Sequence, residues 1–165
     1  MRLAYPFALA LLLGGCTPSA LDPTAQEPAT GAQCELDGML LADYPGPKGQ
    51  IRYADGHVAW FCDTVELLSL YLSPEQVRSV GGAYTQDMAL ADWNAPAGHW
   101  IALEQAFFVE GSSRLGSMGP TLASFSSGEA AQAFATEHGG RVLAFSEITP
   151  DMVQLHSGMH RDHGM

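Results

Sequence analysis

Gly49-Gln50-Ile51-Arg52-Tyr53, then Asp55-Gly56, His57-Val58-Ala59-Trp60-Phe61 and the run from Asp63 to Leu72 form the stretch that decides the fold. Residues 49–53 alternate in polarity with the two-residue period of a half-buried strand. Asp55-Gly56 supplies the turn chemistry of a tight hairpin, and residues 57–61 make the return strand. Asp63 stands where a helix N-cap is needed, with Glu66 three residues on as its reciprocal capping-box partner. Val65, Leu68 and Leu72 fall on one stripe of that helix, and Ser73-Pro74 stops it. The segment therefore predicts a β-β-α unit.

The plan recurs further along. Ala106-Phe107-Phe108-Val109 reads as a strand, Gly111 to Gly119 as a loop, and Thr121-Leu122-Ala123-Ser124-Phe125 as the return strand. Ser126 is the expected cap of a second helix, with Glu129 as its partner and Ala130, Phe134 and Ala135 on the apolar face. Gly139-Gly140 ends that helix and Arg141 to Phe145 forms a further strand. The corners Phe61-Cys62-Asp63 and Phe125-Ser126-Ser127 match. The predicted fold class is α+β, two β-β-α units with halves at about 34–90 and 91–150.

The flanks differ from this core. Arg2, the apolar run Phe7 to Leu13 and the ending Leu13-Gly14-Gly15-Cys16 make residues 1–15 a signal peptide whose apolar core is too short to span a membrane. The Leu-Gly-Gly-Cys ending resembles the bacterial lipobox, which implies cleavage before Cys16 and acylation of its thiol, an anchor that holds a protein on a membrane without crossing it. Thr17 follows the cysteine where an Asp would retain a lipoprotein in the inner membrane, so the expected address is the outer membrane, facing the periplasm. Residues 16–33, rich in Pro, Thr, Ala and Gln, read as a lipid-anchored flexible linker.

The formal net charge is −11, and removing residues 1–15 takes away only Arg2. A chain this acidic, with no basic patch, does not bind nucleic acid through phosphates. Once Cys16 carries lipid, Cys34 and Cys62 are the remaining thiols. They are either a disulfide, as an oxidising compartment favours, or ligands with at least one thiolate retained for metal.

Cys34-Glu35-Leu36-Asp37-Gly38-Met39, running into Tyr44-Pro45-Gly46-Pro47-Lys48, places a thiol and a thioether beside a stiff turn. Sulfur donors of this kind suit Cu(I). Met118, flanked by Gly116 and Gly119 in what reads as a surface loop, is a candidate second or transfer ligand. Met88 ends a strand-like run, where packing is the expected role. Cys62, between an aromatic strand and a helix cap, reads as a buried structural thiol, although a helix N-terminus also activates thiols. The last segment, Asp151 to Met165, carries His156, Met159, His160, His163 and Met165 without periodicity after Leu155, a composition that collects metal and reads as a Met/His-rich tail.

The runs Asp37-Gly38-Met39-Leu40-Leu41, Tyr44 to Ile51, Trp60-Phe61-Cys62-Asp63-Thr64, Tyr84-Thr85-Gln86-Asp87-Met88, Trp93 to Pro96 before Trp100, Val109 to Ser112, Gly116 to Gly119 and His138-Gly139-Gly140 occur in one collinear order. Together they resemble the NosL family of lipoprotein copper chaperones for nitrous oxide reductase. The resemblance implies a fold of two β-β-α units related to organomercurial lyase, and a protein that binds Cu(I) and is not an enzyme. It also implies as partners an ABC-type copper-site maturation transporter and the reductase. Met39 carries over as a ligand, and Cys34 by position. Asp37 stands where relatives often have a cysteine; as a hard oxygen donor it suits a supporting role, orienting a neighbour or accepting a backbone bond, alongside Cys62 and Met88. The rival readings are a thiol-dependent enzyme akin to organomercurial lyase, using Cys34, Cys62 and Asp63, and a lipoprotein that only docks the transporter.

Overall fold

The computed structural model describes residues 24–155 apart from residue 76. The signal segment, Cys16 and the tail positions His156, Met159, His160, His163 and Met165 lie outside the described residues.

Strand β1 (Gly49–Tyr53) and strand β2 (Val58–Phe61) form the expected hairpin, with Gly49 opposite Phe61 and Arg52 opposite Val58. Gly56 takes φ 91° in the turn and the Asp55 carboxylate accepts the His57 N–H. Helix α1 (Thr64–Tyr71) follows, then β3 (Val80–Gln86) returns antiparallel on the other side of β1. Strand β4 (Trp100–Ala102), which the sequence did not announce, completes an antiparallel sheet in the order β2-β1-β3-β4.

The second sheet holds β5 (Phe107–Glu110). The expected loop 111–119 contains a small hairpin, β6 (Leu115–Gly116) with β7 (Gly119–Pro120). Strand β8 (Ala123–Phe125), helix α2 (Gly128–His138) and β9 (Arg141–Ala144) follow, giving the order β8-β5-β9. The cap of α2 is Ser127, whose hydroxyl accepts the Ala130 N–H, one residue later than Ser126. The Phe125 side chain belongs to the core, so the strand must run to that residue before the chain can turn.

One main core joins the two sheets. Ile51, Phe61, Leu67 and Leu68 from the first half pack with Phe108, Leu122, Ile148 and Val153 from the second. A second cluster, around Val109, Ala123, Phe125 and Ala131, lies under α2 and includes Met88. Between the sheets, Thr85 and Ser124 share a hydroxyl hydrogen bond at 2.9 Å, and the Ser124 hydroxyl donates to the Gln86 carbonyl at 2.7 Å.

Two boundaries move. Strand β1 is buried along its whole length, including Gln50 and Arg52 on the face that the alternation would leave to solvent. That face is covered by the supposed linker. Gln26 exchanges two hydrogen bonds with the Gln50 amide, Glu27 accepts from the Trp100 indole and the Gly98 N–H, and Gln33 bridges Leu40. Residues 24–33 are thus part of the fold, because a buried Gln side chain needs partners that only this segment supplies. At the other end, Pro150–Val153 forms a 3-10 turn with Val153 buried in the main core, so the packed chain extends beyond Asp151.

Gly49 is where β1 passes closest to α1: a Cβ there would lie 2.8 Å from the Leu67 Cβ. Gly49→Ala is expected to destabilise the fold by about 1–3 kcal/mol through overpacking, read as a lower urea midpoint at unchanged slope.

Candidate metal centre

The site forms where the turn after residue 33 meets the β2–α1 corner. Gly38 adopts φ 75° and donates its N–H to the Cys34 carbonyl at 3.0 Å, while the Cys34 N–H donates to the Met39 carbonyl at 2.8 Å. The exposed Asp37 carboxylate accepts the Met39 N–H at 2.9 Å, and the Glu35 N–H anchors the turn to the Trp60 carbonyl of β2 at 2.7 Å. Asp37 therefore shapes the backbone of the turn, with its own carboxylate at the surface.

This turn folds Cys34 onto Cys62. The two sulfurs and a Glu66 carboxylate oxygen all lie within 4.8 Å of one another, with all three residues buried. Both cysteines are free thiols, so of the two readings left open above the structure takes the unbridged one. Met39, Tyr44 and Trp60 pack against the pair together with Leu41. Cys62 is thus a full member of the sulfur cluster. Met88 is excluded from it, being packed in the core under α2 instead.

Glu66 does not close a capping box. Its Oε2 accepts the Cys62 N–H at 3.0 Å and the Cys34 thiol at 3.3 Å, one residue short of the cap itself. The Asp63 side chain does cap α1, its Oδ1 accepting the Val65 N–H at 2.8 Å. A residue four positions past a cysteine at a strand-to-helix corner, on the first turn of the next helix, points back at that cysteine. The spacing Cys62 to Glu66 was the readable signal, and the capping-box pattern obscured it.

Lys48, from the Pro-Gly turn, is the second residue that sequence reasoning passed over. It is only 3% exposed, and its ammonium donates to the carbonyls of Tyr44 at 2.7 Å, Pro45 at 3.2 Å and Cys62 at 3.1 Å. All three ammonium protons are thereby used, which is the condition for burying such a group. It pins the rigid turn to the thiol corner and leaves a fixed positive charge behind the sulfurs.

These neighbours move the thiols apart in acidity. The Cys62 thiol, which donates to the Met39 carbonyl at 3.6 Å, also lies beside the Cys34 sulfur and favours its thiolate, and the backbone N–H groups of Cys62, Leu36 and Asp37 add to this, so Cys34 falls to about 6 against the opposing effect of burial. The same contact and its own burial push Cys62 upward. Burial, followed by the charge of Cys34, raises Glu66 to about 8. Burial lowers Lys48, opposed by the charges of Cys62, Asp63 and Glu66.

Met118 sits at the tip of the β6–β7 hairpin and is 66% exposed. The hairpin is tied to the corner by Asp63: Oδ1 accepts the Thr121 hydroxyl at 2.7 Å and Oδ2 accepts the Ser117 N–H at 3.2 Å. Gly116 lies so close that any Cβ there would collide with the Asp63 Oδ2. A cleft of about 300 Å³ between hairpin and helix is lined by Asp63, Glu66, Met118 and Met152 among others, so Met118 shares a cavity with Glu66 and not with the sulfurs themselves. The remaining predicted ligands, His156, Met159, His160, His163 and Met165, fall outside the described residues.

Two adjacent buried thiols with a thioether packed on them give this small α+β protein a cluster of soft donors of the kind that suits a soft metal ion. Similarity to known proteins agrees. The chain belongs to the NosL family, whose match covers residues 25–153. It is 40% identical over 166 residues to the copper-binding lipoprotein NosL of Stutzerimonas stutzeri, covering 94% of this chain and 85% of that protein. It is 36% identical over 163 residues to the copper-binding lipoprotein NosL of Achromobacter cycloclastes, covering 93% and 82%. The crystal structure of the copper chaperone NosL from Shewanella denitrificans matches with a TM-score of 0.72 at 40% identity, over 78% of this chain and 97% of that one.

One thiolate equivalent, read as ultraviolet absorbance of the reduced protein, is expected to appear with a midpoint near pH 6. Because the Cys62 contact is the largest cause, Cys62→Ala should move that midpoint up towards the ordinary value of 9.0. Gly116→Ala should push the hairpin off Asp63 and cost about 1–3 kcal/mol of stability, read from chemical denaturation.

Proposed function

We propose that this protein is a copper-carrying lipoprotein. It binds Cu(I) between Cys34 and Cys62 with help from the Met39 thioether, and passes it on for assembly of the copper sites of nitrous oxide reductase. The observation that carries this reading is the pair of free thiols whose sulfurs lie within 4.8 Å of one another, in a chain related to proteins named for copper binding. Cu(I) favours thiolate and thioether in low coordination number, which the pair and Met39 offer together. Glu66 is a hard donor already engaged by the Cys62 N–H, so its part is to accept the Cys34 proton and hold the pair in register. Lys48 offsets the negative charge of a copper ion held by two thiolates.

The donors are buried, with Cys34 4% and Cys62 0% exposed, so this is not the open site that direct ligand exchange would use. Exchange on this reading needs the surface turn Glu35–Gly38 to lift, after which an incoming sulfur attacks before the old one leaves. The recipient would be an ABC-type maturation transporter, with the reductase downstream. The Leu13-Gly14-Gly15-Cys16 ending and relatives named lipoproteins support a lipid anchor at Cys16, and Thr17 after it is the ground for an outer-membrane address facing the periplasm. Among the described residues no helix is long and apolar enough to cross a membrane. In each sheet the opening strand of its half is flanked on both sides, β1 by β2 and β3 and β5 by β8 and β9, which fits a duplicated β-β-α unit.

The test is anaerobic Cu(I) titration of the reduced protein against a chromophoric chelator. Cys34→Ser and Cys62→Ser are each expected to weaken copper binding by about 100-fold or more, and Met39→Leu by about tenfold, on the scale that loss of ligands and their supports has elsewhere. Stoichiometric binding that survives both cysteine changes would sink the assignment. Turnover of an organomercurial by the reduced protein would replace it with the thiol-dependent enzyme.

A further inference from the structure

Two free thiols side by side can do more than hold a metal. The Cys34 and Cys62 sulfurs lie within 4.8 Å of one another, with the Glu66 carboxylate equally near. Each thiol is lightly held: Cys34 donates to Glu66 at 3.3 Å and Cys62 to the Met39 carbonyl at 3.6 Å. Thiols are weak donors, so a small shift of either side chain gives these contacts up. A disulfide needs the sulfurs at about 2.05 Å, and the question is which side can close the gap.

The two cysteines differ in how firmly the backbone holds them. Cys62 is fixed at the strand-to-helix corner, its N–H donating to Glu66 and its carbonyl accepting from the Lys48 ammonium. Cys34 instead opens a turn whose next four residues, Glu35, Leu36, Asp37 and Gly38, are all exposed. Gly38 has φ 75°, and the Glu35 N–H ties the turn to the Trp60 carbonyl of β2. Cys34 is therefore the sulfur that can move, and the one a reagent reaches first when the turn lifts.

We propose that Cys34 and Cys62 are also a thiol–disulfide exchange pair: the copper-free chain closes to an internal disulfide, and copper loading then requires a dithiol reductant. Oxidation by a disulfide reagent takes two exchanges. Cys34 passes its proton to Glu66 and attacks the reagent, whose S–S bond breaks to release one thiol. Cys62 then attacks the Cys34 sulfur, the internal bond forms and the second thiol leaves, so both cysteine protons end on the released thiols. Reduction runs the other way. A dithiol attacks Cys34, Cys62 leaves and takes up a proton, and the reductant's second sulfur closes on its first. Two electrons and two protons pass from the reductant to the pair. A Cu(I) ion on both thiolates occupies the electron pairs that either attack needs, so metal and disulfide exclude one another. An oxidising compartment, which the Leu13-Gly14-Gly15-Cys16 ending implies, favours the closed form whenever copper is absent. The effect on loading rests on Cu(I) being the cargo; the exchange itself does not.

The mature chain in detergent, reduced, copper-free and kept from oxygen, is to be equilibrated with oxidised glutathione. Its free thiols are expected to fall from two to none, with Cys34 linked to Cys62 in the unreduced digest. Cys62→Ser should trap glutathione on Cys34, whereas Cys34→Ser should leave Cys62 unmodified. Chain loaded with Cu(I) beforehand should keep both thiols. The oxidised chain should bind Cu(I) about 100-fold more weakly in competition with a chelator, and recover on treatment with dithiothreitol. Two thiols surviving in the copper-free chain, links between chains instead of within one, or unchanged copper affinity after oxidation would overturn the exchange pair. A reduced chain that takes up no copper would sink the copper assignment alone, since the thiol count and the cross-link are read without metal.

Discussion

The Asp63 carboxylate is the constraint on which the rest of the structure depends. It caps α1 through the Val65 N–H, receives the Thr121 hydroxyl next to β8 and takes the Ser117 N–H of the small hairpin. One side chain thereby fixes the start of a helix from the first half and two points of the second. Burial raises its pKa, and the three donors oppose that rise. Removing them would leave a buried acid without partners, at a cost of several kcal/mol. The neighbouring Thr64 hydroxyl reinforces the joint by contacting Thr121 and the Leu122 carbonyl. The two sheets share one core, and these contacts bring a surface hairpin up to the first turn of α1.

Next to this joint the polypeptide assembles an unusual electrostatic setting for sulfur. A buried ammonium stands behind the Cys62 carbonyl, and a carboxyl lies beside the Cys34 thiol. The thiols are separated in acidity by their proximity, Cys34 lowered and Cys62 raised, so Cys34 is the one poised to ionise. Apolar cover from Leu41, Tyr44 and Trp60 keeps water away and strengthens each of these contacts.

Local signals in the chain were readable because their causes are local. Strand β1 starts and ends where the alternation says, and Asp63 caps α1 as its position implies. The loss of one residue at the second cap, Ser126 to Ser127, reflects a core demand from Phe125 that no capping pattern contains. What the sequence could not disclose is pairing at a distance. Cys34 meets Cys62 because a surface turn is anchored to the Trp60 carbonyl, and Glu66 is drawn to those thiols although its spacing suits a cap equally well. The docking of Gln26 and Glu27 hides behind a composition typical of a tether, since its stabilising partners, Gln50 and Trp100, lie in strands read for other reasons.

That docking alters how far the domain can travel. With residues 24–33 fastened to the sheet, the lipid anchor proposed at Cys16 would stand only eight residues before Thr24. Eight residues at full stretch reach about 27 Å, less than the thickness of the bilayer's apolar core. A domain so leashed would stay in a thin shell above the headgroups. On the proposed anchor, encounters with partners in the same membrane would be a search in two dimensions.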